Sequence, residues 1–574
     1  MFRSKSLFIL IIAILFSPSI AQNSFAATPK PGNTCSIAGQ LFKTQNGNLT
    51  CKKSGKKLFW VPSGGNQSQG SNSQPGSTNR VVEGFLCDEK GPQSAKDARG
   101  IELFCTMGMD GKSSWRPKQL GGNSTDSEAS SSGVAQVGTN CSNNGTLGFS
   151  SGSLVICKNK TVRYALQSDI PAAPSGGYKS RPSWYPTLAK QMGYSEPTCS
   201  PSSIKFSSSI IPMDQMAPNI PYGAMIGGHV TPIDHAYLGV KSLNKDPNSR
   251  TESDYVPVSS PADGTIVSLQ NLGSPTSIRV VINHGCNLFS VYMVLNRLSG
   301  ALSKYAEELK GGNVNKKVEV QIKAGQEFGR QRDNMLDFNI WDGTSWLSGF
   351  ANPFSYVSGD AWKPFTADPL PFFTSEIRNA LESNMQRTSS PRFGKIDYDV
   401  EGTASGNWFL DGTVGYGGHT VAEFTNAKSE VAGGQVNGKN DYSWSHLAIA
   451  PQEVDQSKWI FSTGWWKNPA GDPVQYLLNI DSSNPTPDKL TAASGLKVYQ
   501  LTQFSRNEPS GSPARSGGST APYAVGYTVT PGSAQGVVAL QVNTDGSLSV
   551  EINDSITDPS KFTGFSKDKR IYRH

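Results

Sequence analysis

A mainly β, multidomain protein is the fold class that the sequence predicts, and three observations lead to it. The 574-residue chain has 59 glycines, 36 prolines and only 17% charged residues, a composition that favours short strands and turns over long helices. Six of its cysteines fall into three pairs of similar spacing, which indicates three small disulfide-stapled modules. Short aromatic segments divided by Gly, Asn and Asp fill the last third, a pattern typical of a C-terminal β-sandwich or barrel-like domain.

The N-terminal segment 1–26 has the features of a secretory signal peptide. Arg3 and Lys5 precede an apolar run over residues 7–16, which is shorter than the roughly 20 residues needed to span a bilayer. Small residues at the end of the segment suit signal peptidase, so the mature chain is expected to begin near Ala27. No later segment has the length and apolar character of a transmembrane helix. We therefore expect a secreted protein, extracellular or associated with the cell envelope.

The net charge and the absence of common catalytic motifs narrow the function classes. The formal charge of +7 falls to +5 when Arg3 and Lys5 leave with the signal. This excess is too small to indicate a nucleic-acid partner, but it favours adhesion to an anionic cell wall. The chain has no HExxH, no nucleophile elbow, no P-loop and no dinucleotide fingerprint, so nucleotide chemistry is not expected.

The eight cysteines contain no CxxC pair, which in an exported chain indicates disulfides rather than thiolate zinc sites. An aromatic residue, Trp60, Trp115 or Tyr164, follows the second cysteine of each module. A module this small buries little core, so a staple worth about 3 kcal/mol decides whether it folds. The two cysteines outside the repeats are paired with each other. The predicted disulfides are Cys35–Cys51, Cys87–Cys105, Cys141–Cys157 and Cys199–Cys286.

Changes in composition along the chain predict the domain order. Stretches rich in Gly, Ser, Asn and Gln separate the modules and are expected to be flexible linkers. Apolar residues at helical spacing after Thr374 or Ser375 predict a capped helix between the larger domains. The predicted segments are module 1 at 27–63, a linker at 64–80, module 2 at 81–120, a linker at 121–137, module 3 at 138–167, a linker at 168–189, a β domain at 190–370, the linking helix at 371–390 and a C-terminal β-rich domain at 391–574.

The segment from residue 190 to residue 370 is expected to be rich in sheet. "DYVPVSSPADGTIVSL" predicts two strands joined as a hairpin at Asp263-Gly264. Further strands are predicted at "SIRVVINHG", "LFSVYMVL", "VEVQIKAGQEFG" and "LDFNIWDG", and "GALSKYAEELKGG" predicts a short helical insert that ends on glycine.

Four of these segments stand in an order that resembles a known family. "YVPVSSPADGTIV", "VVINHGCNLFSVYMVL", "IKAGQEFG" and "MLDFNI" resemble, in sequence, the motifs of the LytM or lysostaphin-type zinc endopeptidases, which cut peptidoglycan cross-links. The resemblance covers residues 227–341. It implies a duplicated hybrid motif β core, a zinc cofactor, and peptidoglycan or another cell-wall polymer as the partner.

The stretch "GGHVTPIDHAYLG" corresponds to the first half of that family's zinc site. The resemblance implies metal ligands at His229 and Asp234, with Asp337 at the position of the third ligand. Residues five apart on a regular strand point to opposite faces, so either Pro232 marks a turn that reunites the first two or His235 substitutes for Asp234. The alternative is a hydrogen-bonded polar cluster left from an ancestral site.

Two histidines that the family uses in proton transfer are replaced in this chain. Met335 stands where the final motif carries the first of its histidines, and Val294 stands where the motif after Tyr292 carries another. Neither side chain can accept or donate a proton. His284 does not correspond to a catalytic histidine and is expected to be half-buried and bonded to backbone. No catalytic residue can therefore be assigned.

A second group of polar residues occurs in the C-terminal domain. Asp397, Asp399, His419 and His446 lie among several tryptophans and could bind a metal or a sugar. The alternative is that the tryptophans fill the core while the polar groups hold turns. The spacing matches no ligand motif, which favours the alternative.

Two functions remain. The first is a secreted cell-envelope protein with a degenerate, non-catalytic LytM-type domain that binds peptidoglycan or a wall-associated partner. The second is an active zinc metalloendopeptidase that hydrolyses peptide cross-links, with His229, Asp234 and Asp337 as metal ligands. The missing histidines weigh more than the preserved strands, so the sequence favours the first.

Overall fold

The computed structural model describes a mainly β protein, which confirms the predicted fold class. Contacts divide the chain into two compact units, Met1–Asn123 and Ser124–His574. Within the part of the chain described, no helix is long and apolar enough to cross a membrane. The described residues are 41–44, 47–54, 57–62, 94–96, 102–107, 113–117, 137–150, 153–171, 173–183, 185–274, 276–310, 314–418, 442–464, 473–482, 484–507 and 528–574.

Each small module contains one three-stranded antiparallel sheet whose strands follow the chain order. This shared design agrees with the repeat that the cysteine spacing predicts. The strands are β1 (Leu41–Thr44), β2 (Gly47–Ser54) and β3 (Lys57–Pro62) in module 1, β4 (Ser94–Lys96), β5 (Glu102–Met107) and β6 (Ser113–Pro117) in module 2, and β7 (Leu147–Ser150), β8 (Ser153–Lys158) and β9 (Thr161–Tyr164) in module 3.

The strand register accounts for the spacing between cysteine and aromatic residue in two modules. The central-strand cysteine lies directly opposite a tryptophan in module 1 (Cys51 and Trp60) and in module 2 (Cys105 and Trp115). Module 3 differs, because Cys157 lies opposite Val162.

Two of the four predicted disulfides lie within the described residues. Cys141 is bonded to Cys157 and Cys199 to Cys286. The other two pairs include Cys35 and Cys87, which lie outside the described residues, so those pairings stay predictions.

A seven-stranded antiparallel sheet forms the centre of the second unit, with strand order β10-β11-β19-β15-β14-β13-β17. A smaller sheet, β12-β18-β16, packs beside it. The strands are β10 (Met216–Ile220), β11 (Ala236–Val240), β12 (Val256–Ser259), β13 (Gly264–Asn271), β14 (Ile278–Asn283), β15 (Leu288–Leu295), β16 (Arg297–Leu298), β17 (Asn315–Ile322), β18 (Glu327–Gln331) and β19 (Leu336–Asp342).

The hairpin predicted at Asp263-Gly264 is wrong, although both of its strands are present. β12 pairs with β18, whereas β13 pairs with β14 and β17, so the two strands belong to different sheets. The Asp263 carboxylate accepts hydrogen bonds from the backbone N of Ala324 (2.9 Å) and from Lys323 Nζ (2.8 Å). These hydrogen bonds join the turn to the connection between β17 and β18. The chain passes from the small sheet to the seven-stranded sheet at this turn.

Among the described residues, three short α-helices accompany the sheets: α1 (Leu188–Gln191), α2 (Phe354–Val357) and α3 (Ser375–Asn384). α3 is the predicted linking helix, and Thr374 is its N-cap by position, without a side-chain hydrogen bond. The predicted helical insert is a 3-10 helix at Gly300–Tyr305.

Side chains alternate between the two faces of the seven-stranded sheet, as a strand period of two requires. One face, here called the core face, is mainly apolar and packs against the small sheet and α3. Its residues include Ala236, Leu238, Val280, Ile282, Tyr292, Leu336, Phe338 and Ile340. The opposite face, here called the second face, carries the candidate functional residues.

Module 3 packs on one end of the second face. Leu154 and Ile156 of β8 join a buried cluster with Phe289, Val291 and Trp341 of the sheet. The segment 168–189, predicted as a linker, contributes Tyr185 and Leu188 to this cluster, and both are buried. This part of the segment is therefore packed rather than free coil, because its aromatic and aliphatic side chains find an apolar surface to cover.

The C-terminal domain is a closed antiparallel barrel of eight strands, each hydrogen-bonded to its neighbours in chain order. Large side chains fill its interior, as expected for a barrel of this size. The strands are β20 (Gly406–Leu410), β21 (His446–Pro451), β22 (Trp459–Thr463), β23 (Val474–Leu478), β24 (Lys497–Asn507), β25 (Thr528–Val542), β26 (Leu548–Asn553) and β27 (Arg570–Arg573).

The barrel packs on the other end of the second face through the outer sides of β21, β22 and β23. Leu447 and Ile449 point into the barrel core, whereas Ala448 and Ala450 join a cluster with Tyr237 of the sheet. The cluster, here called the barrel contact, is buried. Its members are Ile220, Ala224, Met225, Ile226, Ile233, Tyr237, Met335, Ala448, Ala450, Ile460, Leu477 and Val529.

Candidate functional site

A polar strip crosses the second face between its two apolar ends, and β19 shows the change in character. Met335, just before the strand, belongs to the barrel contact, and Trp341 near its end belongs to the cluster with module 3. Asp337 and Asn339, between them on the same face, are buried polar residues. The strip is therefore enclosed along the sheet by apolar packing at both ends.

Three residues that the sequence singled out meet in this strip. His235 lies between two carboxylates, with Nδ1 3.4 Å from Asp234 Oδ1 and Nε2 3.3 Å from Asp337 Oδ2. Neither contact has hydrogen-bond geometry, so both ring nitrogens are buried without a hydrogen-bond partner. Asn339 Nδ2 donates to the other oxygen of Asp234 (3.4 Å). The strand register accounts for this proximity. β11 pairs with β19 so that Tyr237 lies opposite Asp337, and His235 comes just before β11.

His229 reaches the same strip from an irregular hairpin rather than from a strand. Ile226 and His229 exchange backbone hydrogen bonds across the turn that precedes β11. The rule that residues five apart on a regular strand point to opposite faces therefore does not apply to His229 and Asp234. The half-buried ring of His229 packs edge-on against that of His235, with 5.5 Å between the centroids.

Lys363 brings a positive charge into the strip and was not expected from the sequence. Its side chain is only 3% exposed, and its Nζ lies 3.7 Å from Asp234 Oδ1 and 3.8 Å from Asp360 Oδ2. The ammonium also lies 5.0 Å from the ring centroid of Tyr416. Its only signal in the sequence is a lysine within the apolar and aromatic run "AWKPF".

The pKa values of these groups follow from burial and from their neighbours. Burial raises the pKa of Asp337 to about 6, and it raises the pKa of Asp360 to about 6 against the opposing charge of Lys363. Burial acts the same way on Asp234, but Lys363 and His235 outweigh it and hold the pKa of Asp234 below its ordinary value. Asp234 therefore stays ionised opposite Lys363 over a wider pH range than Asp360 does.

Burial also lowers the pKa of His229 to about 3, and the charges of His235 and Lys363 act in the same direction. The imidazole is consequently neutral near pH 7. A neutral imidazole is the form that binds a metal, so protonation does not prevent His229 from acting as a ligand.

The side chains in the strip do not fit the zinc ion that the resemblance implies. Structural and catalytic zinc sites need three or four ligand atoms that converge on one point. Among the described residues no group of three or more His, Cys, Asp or Glu side chains converges in this way. His235 bridges Asp234 and Asp337 instead, and the Lys363 ammonium lies beside Asp234.

The positions of the two replaced histidines differ from each other. Met335 is 1% exposed and packs in the barrel contact. Val294 lies on a bulge of β15 with φ of 57°, a conformation that β-branched residues rarely adopt. Its neighbour Met293 is the register partner of Asp337.

His284 serves the scaffold, as the sequence predicted. Its Nδ1 hydrogen-bonds the carbonyl of Asp263 (2.9 Å) and its Nε2 the hydroxyl of Ser290 (2.7 Å). Burial lowers the pKa of His284 to about 4, so the ring is neutral and joins β14 to neighbouring strands.

The acidic residues near the barrel hold backbone turns. Asp397 accepts a hydrogen bond from the backbone N of Gly349 (2.9 Å), and Asp399 accepts from the backbone N of Ala351 and of Asn407 (2.8 Å each). Both carboxylates therefore order the loop over residues 349–351 against the start of the barrel.

The histidines and tryptophans of the same group have structural contacts. His446 is buried, and its Nε2 hydrogen-bonds the carbonyl of Tyr416 (3.0 Å). Trp408 and Trp459 pack in the barrel core. His419 lies outside the described residues. These contacts support the alternative in which the group stabilises the fold.

No protein-family model matches this chain, and no curated protein matches its sequence. The assignment of function therefore depends on the physical properties of the site.

Proposed function

We propose that this chain is a secreted, non-hydrolytic cell-envelope protein that binds peptidoglycan or a wall-associated partner. In this proposal the domain at 190–370 is a degenerate LytM-type domain whose second face is an internal docking surface. The observation that carries the proposal is the coverage of that face, with module 3 at one end and the barrel at the other.

A hydrolase needs a face that admits substrate together with groups that move protons beside it. The candidate polar groups here are closed in by their own ion pairs, and Met335 is packed against the barrel. Wall contact in our proposal comes from other surfaces, namely the small modules and the exterior of the barrel. The net positive charge supports attraction to an anionic wall polymer.

One observation favours the alternative of a metal-dependent peptidoglycan endopeptidase. His229, Asp234, His235 and Asp337 do lie in one strip, as a site descended from a zinc centre requires. The alternative requires the Lys363 ammonium to leave Asp234, and it requires the His235 imidazole, which is held between Asp234 and Asp337, to move the proton.

A sedimentation assay with purified peptidoglycan sacculi tests both functions with one sample. The mature chain from residue 27 is mixed with sacculi and zinc, and pellet and supernatant are analysed for protein and for soluble peptidoglycan fragments. We expect the protein in the pellet and no fragments above the level of the His229→Ala control. Protein that stays in the supernatant would refute wall binding, and fragments that disappear with His229→Ala would establish the hydrolase.

A further inference from the structure

We propose that Lys363 is the resident cation of the polar strip and occupies, in charge, the place that a divalent metal would need. This inference rests on the ion pairs of the strip and not on the proposed wall binding. Its test reads metal binding, so its failure and the failure of wall binding are distinguishable.

The first argument is the environment of the ammonium group. A buried lysine is strongly unfavourable unless its charge is paired. Lys363 has two carboxylate partners, Asp234 at 3.7 Å and Asp360 at 3.8 Å, and the face of the Tyr416 ring at 5.0 Å. These contacts give it the counter-charges that a bound cation requires.

The second argument is that the backbone fixes the position of Lys363. The chain just after it runs beside β19, where Thr366 forms an antiparallel bridge with Trp341. The backbone N of Ala367 also donates to the carbonyl of Ile340 (3.0 Å). The lysine is thus placed against the second face by the same strand that carries Asp337.

The third argument concerns the side chain before the lysine. Trp362 stacks on Trp341 with 5.2 Å between ring centroids, and Arg279 lies over both rings. This packing holds the segment against the sheet. The backbone at the lysine is therefore held in place by packing, unlike that of a mobile surface lysine.

A divalent ion beside Asp234 would have to displace this ammonium or tolerate its repulsion. Without Lys363, the strip would keep Asp234, Asp360 and Asp337 together with the imidazoles of His229 and His235. Carboxylate and imidazole are ligands that zinc accepts. The structure thus holds an ammonium beside the carboxylate that a divalent ion would use, and the loss of that ammonium would remove the like charge that opposes the ion.

Titration of the mature chain with zinc, using a competing fluorescent chelator, tests the inference. The variant Lys363→Met replaces the ammonium by an apolar group of similar length. It should bind zinc at least about 100-fold more tightly than the wild type, because a like charge is removed from the site. Lys395→Met is the matched control, since Lys395 lies at the same 3.7 Å from Asp397 but its side chain is 43% exposed; it should leave zinc affinity unchanged.

Two outcomes would overturn the inference. One is wild-type zinc binding as tight as that of Lys363→Met and lost with His229→Ala, and the other is a folded Lys363→Met variant that gains no zinc affinity. Should Lys363→Met fail to fold, the double variant Asp234→Asn/Lys363→Met decides. Recovery of folding without zinc binding supports the charge role of Lys363, and no recovery refutes it.

Discussion

The two faces of the seven-stranded sheet are stabilised by different means. The core face is a mainly apolar layer against the small sheet and α3. The second face is apolar only at its ends, under the barrel and module 3, and carries charged groups between them. A sheet face can therefore be buried without being apolar throughout, provided that its charges are paired within the fold.

The strands determine which side chains lie on each face of the sheet, whereas module 3 and the barrel determine whether a face is exposed. Alternation along β19 produces both faces, with Phe338 on one and Asp337 on the other. Whether the second face is a groove or an internal surface depends on module 3, the segment before α1 and the barrel. A set of strands that resembles those of an enzyme family is thus insufficient to show that the sheet face is open to substrate.

The largest loss of stability is expected from a substitution on the core face. Phe338 is fully buried, so Phe338→Ala should reduce the free energy of unfolding by about 3–5 kcal/mol, through lost burial and the cavity left behind. Urea denaturation of the mature chain measures the change. A loss below about 1 kcal/mol would mean that this face is not tightly packed.

A similar but smaller loss is expected at the charged strip. Lys363→Met should cost about 3 kcal/mol, because it removes the ammonium that lies 3.7 Å from the buried carboxylate of Asp234. The double variant Asp234→Asn/Lys363→Met should be more stable than Lys363→Met alone. Lys395→Met removes an ammonium that is 43% exposed, and it should cost at most about 1 kcal/mol. Equal losses for Lys363→Met and Lys395→Met would contradict the role of burial.

A substitution in the barrel contact should reduce the free energy of unfolding less than Phe338→Ala or Lys363→Met. Leu477 lies in the barrel contact and is 4% exposed, so Leu477→Ala is expected to cost about 2 kcal/mol. Leu496→Ala, at a 37% exposed position, is the control and should change stability by less than about 0.5 kcal/mol. If the two variants have the same midpoint in urea, the contact does not stabilise the second unit.

The smallest effect on stability is expected from the titration of Asp399, at the start of the barrel. Burial raises the pKa of Asp399 to about 7. A raised folded pKa gives a stabilising contribution that is complete below the ordinary aspartate pKa and is lost as pH rises through about 7. The wild type should lose about 1 kcal/mol more than Asp399→Asn between pH 6 and pH 8. Parallel stability curves over this range would contradict the assignment.

Much of the fold could be predicted from the sequence because its signals are local. Alternating β-formers placed β14, β15 and β19, and cysteine spacing indicated the three meanders. The hairpin at Asp263-Gly264 was predicted wrongly because the partner of β12, β18, lies far along the chain. Local turn signals carry no information about such a pairing.

The site was predictable only in part. The short stretch around His229, Asp234 and His235 attracted attention because histidine and aspartate are rare neighbours in this chain. Lys363 and Asp360 were missed because they lie more than 100 positions away and reach Asp234 only through tertiary packing. Coverage of the second face by the barrel was likewise invisible, since the outer side of β21 differs from its inner side only by the fold that surrounds it.

Thiol labelling at Met335 tests most directly the claim that the second face is closed by the barrel. Met335→Cys places a thiol at a 1% exposed position, and Met213→Cys provides the matched control at a 40% exposed position. In the native mature chain the thiol at position 335 should react with a water-soluble thiol reagent at least about 1000-fold more slowly than the one at position 213, since it reacts only when the packing opens. Equal rates in two folded variants would show an open face and would contradict the account.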